Sequence, residues 1–130
     1  MKKILLLFAA AALALSLSGC DRYVSHYRAI AFVHANESDS AFMTFYSFDG
    51  RMVFKLKNRD DSGGRLEASA KLESGSAAVY VDDNGTKREL CTVRAGDEIE
   101  TSAALSGRGT VYVIVETDGK CMNGDFRFGI

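Results

Sequence analysis

Hydrophobic and polar positions alternate with period two over most of the chain after residue 22, the spacing of half-buried β-strands. The clearest stretch is Arg65–Glu73, where Leu66, Ala68, Ala70 and Leu72 share one face and every residue between them is polar or charged. Met52, Phe54 and Leu56 alternate with Arg51, Lys55 and Lys57; Phe126, Phe128 and Ile130 alternate with Asp125, Arg127 and Gly129. Ala77, Val79 and Val81 form another inward row, and Val111–Val115 is apolar on both faces, as a central strand would be. Asp49-Gly50 and Asn84-Gly85 read as two-residue hairpin turns. Further turn signals fall at Asp60–Gly64, Ala95–Asp97, Ser106–Gly109 and Asp118-Gly119. The spacing predicts strands near 23–34, 41–48, 51–58, 65–73, 76–82, 86–94, 97–105, 109–117 and 125–130. Many short alternating strands imply an all-β fold, a single antiparallel two-sheet sandwich over residues 23–130.

Residues 1–19 break this pattern. Lys2 and Lys3 precede an apolar run from Ile4 to Leu17, followed by Ser18 and Gly19, the layout of an export signal. The run is shorter than the roughly 20 residues a membrane-spanning helix needs. Leu17-Ser18-Gly19-Cys20 resembles the lipobox of bacterial lipoproteins. That resemblance implies cleavage before Cys20, a diacylglycerol and an N-acyl chain on Cys20, and a protein held on the extracytoplasmic face of a membrane in the bacterial cell envelope. Asp21 after the lipid-bearing cysteine resembles the inner-membrane retention signal of enteric bacteria. Residues 20–22 then make a very short tether, since strand-like sequence begins at Tyr23.

Dividing the chain at Cys20 alters its composition. The whole chain has 16 basic and 17 acidic side chains, but both lysines of the leader are lost with it, leaving the mature part at about −3. Neither balance suits a nucleic-acid partner. Of 3 cysteines, Cys91 and Cys121 remain after lipidation. In an oxidising compartment they are expected to form one disulfide, the alternative being two reduced core cysteines. Such a bond would close a loop of about 30 residues and stabilise by about 3–4 kcal/mol.

The C-terminal half carries Val79–Gly85, a Gly96-Asp97 strand entry, Gly109–Val115 and a closing Gly124-Asp125-Phe126-Arg127-Phe128. This order resembles jelly-roll sandwiches of the carbohydrate-binding and prepeptidase-C-terminal-like kinds. It implies a fold and leaves the activity open.

Candidate chemistry is sparse. His26 and His34 are the only histidines, too far apart along one strand to share a metal or a proton. No Gly-x-Ser-x-Gly elbow and no phosphate-binding loop ahead of a helix is present. Acidic turns make Asp82 and Asp83 weak calcium candidates, although Asp-Asn-Gly is also what a hairpin turn requires. Tyr23, Tyr27 and Tyr46 are candidates for a ligand face, because tyrosine combines an apolar ring with a polar tip. Phe42, Phe45, Phe48, Phe54 and Tyr112 are expected in the core. The leading expectation is a non-catalytic envelope module that meets another protein or a polymer. A carbohydrate-binding jelly roll is the alternative, and a small hydrolase or protease-associated domain a weaker one. No cofactor is expected beyond the lipid on Cys20.

Overall fold

A computed structural model describes residues 23–130; the expected leader and Cys20 lie outside them. Among the described residues the chain forms β1 (His26–Ile30), β2 (Val33–Asn36), β3 (Ser40–Asn58), β4 (Arg65–Ser74), β5 (Ser76–Asp82), β6 (Arg88–Arg94), β7 (Glu98–Ala104), β8 (Gly109–Thr117) and β9 (Cys121–Gly129). Every pairing is antiparallel, in the order β6-β5-β8-β3-β9-β4-β7, with β1 and β2 on the remaining edge of β3. The all-β sandwich expected from the alternation is what forms.

One correction concerns Asp49-Gly50. Expected as a hairpin turn, it lies inside a single 19-residue strand. The N-terminal part of β3 pairs with β9, Ser40 opposite Gly129 and Phe48 opposite Cys121. The C-terminal part pairs with β8, Arg51 opposite Glu116 and Asn58 opposite Gly109. β3 therefore belongs to both layers of the sandwich. Layer I is β6-β5-β8 with the second part of β3; layer II is the first part of β3 with β9-β4-β7. β4 and β5 are separated by Gly75 alone, and β6 and β7 by Ala95–Asp97, so each long strand crosses from one layer to the other at a bend.

The inward rows change parity at these bends. Leu66, Ala68, Ala70 and Leu72 are buried on β4, and Ala77, Val79 and Val81 on β5. The same step separates Ala41, Met43 and Phe45 from Met52, Phe54 and Leu56 along β3. One inserted residue at the bend keeps both rows aimed at a shared interior, because side chains alternate with period two. At Gly75 (φ +97°) the strands also meet closely, and a Cβ there would lie 2.7 Å from the Cys121 sulfur.

The two layers enclose one core. The ring of Phe54 in layer I lies 5.8 Å from that of Phe128 in layer II, and Phe45 stands 6.2 Å from Phe126. Met43, Phe48, Leu66, Val79, Val93, Val111 and Val113 fill the rest. Phe42 and Tyr112, expected inside, are only half-buried, because they occupy the outward parity of β3 and β8.

The open edge of β3 in layer I is covered by the N-terminal segment. The Val53 amide donates to Ser25 Oγ at 2.9 Å, the Lys55 amide to Asn36 Oδ1 at 2.8 Å and the Lys57 amide to the Ser38 carbonyl at 2.6 Å. Asn36 Nδ2 returns a bond to the Lys55 carbonyl at 2.9 Å, so one side chain imitates a strand partner.

Candidate functional site

Register assembles the outer face of layer II from four strands. Phe42 on β3 faces Arg127 on β9, Arg127 faces Ser69 on β4, and Ser69 faces Glu100 on β7. The next row is Thr44, Asp125, Lys71 and Glu98. Residues directly opposite across antiparallel strands share a face, so these two rows form one polar surface. Ser69 is the short side chain between Arg127 and Glu100, and the surface is hollow there. Two adjoining depressions of about 310 and 440 Å³ both include Ser69, Glu100 and Arg127 in their walls.

Charges in this groove are paired along its length. Arg127 Nε lies 3.0 Å from Asp125 Oδ1, and Lys71 Nζ lies 3.3 Å from Glu98 Oε1. The Arg127 guanidinium also sits over the Phe42 ring, 5.4 Å from its centroid. The arrangement offers a guanidinium, an ammonium and several carboxylates at fixed spacing, with aromatic carbon at one end. Such a set can donate to and accept from several hydroxyl groups at once.

The three tyrosines expected to share a ligand face are separated. Tyr23 lies on layer I, edge-on to Tyr112 at 5.3 Å, with its hydroxyl donating to Asp82 Oδ2 at 2.6 Å. Tyr27 stacks on Phe48 at 5.1 Å and meets Phe32 at 5.0 Å, so it closes the core at the β1 edge. Only Tyr46, 53 % exposed, points out from the first part of β3, at the parity of Phe42 and Thr44.

The cysteine pairing also needs correction. Cys91 and Cys121 are free thiols. Cys91 is on β6 in layer I, opposite Val79, whereas Cys121 begins β9 in layer II, opposite Phe48. β6 and β9 are not neighbours, and the Cys121 thiol donates instead to the Ser76 carbonyl at 3.3 Å. Burial pushes both thiols above the ordinary range, with the Glu89 charge adding to this at Cys91.

Asp82 and Asp83 spend their oxygens inside the protein. Asp82, 1 % exposed, accepts from the Tyr23 hydroxyl and from the Gly85 amide at 2.7 Å. Asp83 accepts from Arg88 Nη1 at 2.7 Å and the Ser106 amide at 2.6 Å. Burial alone would raise the Asp83 carboxyl, but the Ser106 amide and Arg88 together hold it below the usual range. A cation would have to displace these donors. Among the described residues no group of three or more His, Cys, Asp or Glu side chains is arranged to hold a metal ion. His34 stacks on Phe32 at 4.6 Å, while His26 borders a shallow hollow with Gly50, Arg51, Glu116 and Thr117.

Ser69, Glu100 and Arg127 carry no site signal in the sequence, and Phe42 reads there as a core residue. Arg127 stands between Phe126 and Phe128, so its outward direction is readable, but its neighbours across the sheet are set by strand order alone.

No protein-family model matches the chain, and no curated protein sequence matches it. Solved structures do. The chain is similar to the prepeptidase C-terminal domain of a collagenase from Bacillus anthracis, at 14% identity and a TM-score of 0.48, over 73% of this chain and 90% of that one. It is similar to a family 61 carbohydrate-binding module solved with β-1,4-galactotriose, at 14% identity and a TM-score of 0.44, over 80% and 82%. A periplasmic inhibitor of g-type lysozyme from Salmonella Typhimurium matches at 15% identity and a TM-score of 0.44, over 82% and 93%.

Proposed function

We propose that this chain is a non-catalytic binding module that takes a polysaccharide in the groove on the outer face of layer II, and that Cys20 tethers it by lipid to the extracytoplasmic face of a bacterial membrane. The groove is the observation that carries the binding reading. Its Arg127, Asp125, Lys71, Glu98 and Glu100 side chains present donors and acceptors along adjoining depressions, with Phe42 at one end and exposed Tyr46 further along the same face. A saccharide has hydroxyls for the first set and an apolar ring face for the second. The tether rests on the lipobox-like residues 17–20 alone.

Binding is tested by retention of the protein in gels containing different polysaccharides. Arg127→Ala and Glu100→Ala should each weaken retention about tenfold, corresponding to loss of one charge-assisted hydrogen bond. Tyr23→Phe, on the opposite layer, should leave it unchanged. Equal retention of all three variants would dismiss the groove. The tether is tested separately by Cys20→Ser, which should release the protein from membranes and lose labelled palmitate.

A second reading, docking of another envelope protein, is favoured by one feature. Ile30, Val33 and Tyr46 are 59 %, 57 % and 53 % exposed along the β1–β2 edge of β3. Crosslinking in native membranes that captures a protein through this edge, with no polysaccharide retained in the gels, would favour it.

A further inference from the structure

We infer that the outer face of layer I is seated against an anionic phospholipid surface, through Lys55, Lys57 and Arg59 at the end of β3. The inference deepens the tethered reading and rests on it for how the face is brought to the bilayer.

The start of the described chain is fixed on this face. Tyr23 is held by Tyr112 and Asp82, and Ser25 Oγ accepts from the Val53 amide, so the segment is anchored at two points. Three residues from Cys20 to Tyr23 reach at most about 11 Å when fully extended. Lipid on Cys20 would therefore keep this face, rather than the opposite one, near the headgroups. Val24, beside Tyr23, is 65 % exposed.

The charges there have the matching sign. Lys55 is directly opposite Tyr112, the residue on which Tyr23 packs, and Lys57 is opposite Thr110. None of the ion pairs among the described residues involves Lys55, Lys57 or Arg59. Lys57 and Arg59 border a hollow of about 410 Å³ that Arg108 also lines, and Arg108 pairs with Asp61 at 3.3 Å. Most acids on and beside the strands of layer I are bound: Glu116 lies between Arg51 and Lys87, each at 2.8 Å, Asp83 is bound to Arg88 and Asp82 is buried; Glu89 accepts from Thr92, and Asp39 and Asp60 line a second hollow with Lys57 and Arg59. Layer II carries the opposite balance, with Glu67, Glu73, Glu98, Glu100 and Asp125 against Arg65, Lys71 and Arg127. Seating layer I on the bilayer turns the groove of layer II away from it, open to a polymer.

The test is flotation of the full processed protein with vesicles of phosphatidylcholine alone or with phosphatidylglycerol added. Flotation with neutral vesicles reads the lipid anchor by itself. If the protein floats there, a membrane-impermeant amine reagent is applied to both preparations and its sites are mapped by mass spectrometry. Lys55 and Lys57 should then react several-fold more slowly than Lys71 on anionic vesicles, and the difference should vanish on neutral ones or in high salt. Equal reactivity on both compositions would overturn the seating while leaving the anchor standing. If the protein does not float with neutral vesicles, the anchor reading fails, and flotation with anionic vesicles reads the face directly. Each basic side chain near such a surface raises partitioning roughly fivefold, so Lys55→Glu with Lys57→Glu should reduce it roughly 25-fold or more. No reduction, or no preference for anionic vesicles, would overturn it.

Discussion

Asn58 closes one end of the sandwich with a single side chain. It is 2 % exposed, and its Nδ2 donates to the carbonyl oxygens of Gly63 and Gly107, while Oδ1 accepts from the Asp60 amide at 3.2 Å. Two loops far apart in sequence are joined there. Asn58→Ala would leave two carbonyls without their donor in a closed site, so it should cost about 2–3 kcal/mol. A urea melt reads this as a lower midpoint with an unchanged slope. The cysteines give a second prediction at this scale. With free thiols at Cys91 and Cys121, a reductant should leave the melting temperature unchanged, and the buried Cys121 should titrate with a thiol reagent only once the chain is unfolded, whereas half-buried Cys91 should react sooner. A native mass two hydrogens lighter would restore the disulfide. Residue pairing of this kind was illegible beforehand, because loop length says nothing about which layer each cysteine occupies. Arg127 illustrates the same limit: its parity was visible between Phe126 and Phe128, its partners Ser69 and Phe42 were not.

At the level of elements, legibility depended on whether one face meets water. β4 could be read directly, since Leu66, Ala68, Ala70 and Leu72 are buried against the core and Arg65, Glu67, Lys71 and Glu73 are exposed. Asp-Gly is a strong local turn signal that splits β3 in the sequence, whereas in the fold β1 pairs across Asp49 and Gly50 while β9 and β8 pair on either side of them, and together these hold the strand extended. Bends are where substitution should be felt most. Gly75→Ala places a methyl 2.7 Å from the Cys121 sulfur and 2.9 Å from its Cα, in a backbone conformation that L residues rarely adopt. A loss of about 2–4 kcal/mol is expected by thermal melting, against under 0.5 kcal/mol for an exposed control such as Lys120→Ala. The covered edge of β3 is also testable. Removing the side-chain partners with Ser25→Ala and Asn36→Ala exposes the Val53 and Lys55 amides, so the doubly substituted protein should self-associate, as light scattering would register.

For the whole molecule, stability should depend on pH from both sides. The carboxyls of Asp83 and Glu116 are held below their ordinary range. At Glu116 burial works the other way and is outweighed by Lys87 and Arg51. Groups lowered in the folded state stabilise it above their unfolded value, about pH 4, and that contribution is lost as pH falls through the folded value. The thiols of Cys91 and Cys121 are raised by burial, so their contribution is complete below about pH 8.5 and is lost as pH rises through their folded values. Melting temperature plotted against pH should form a plateau between about pH 5 and pH 8, and Asp83→Asn should flatten its acid limb.

The span of β3 across both layers has a consequence for how the protein is made. Its partners β8 and β9 begin 51 and 63 residues after β3 ends, at Gly109 and Cys121. A nascent chain that stops at β7 has β1 and β2 beside the central strand and the β5–β6 hairpin, but nothing along the other edge of β3 to join the two layers. Folding should therefore wait for the final twenty residues and proceed slowly, as topologies dominated by distant pairings do. If the leader-like residues 1–19 direct export as proposed, that delay would keep the chain threadable until transport is finished.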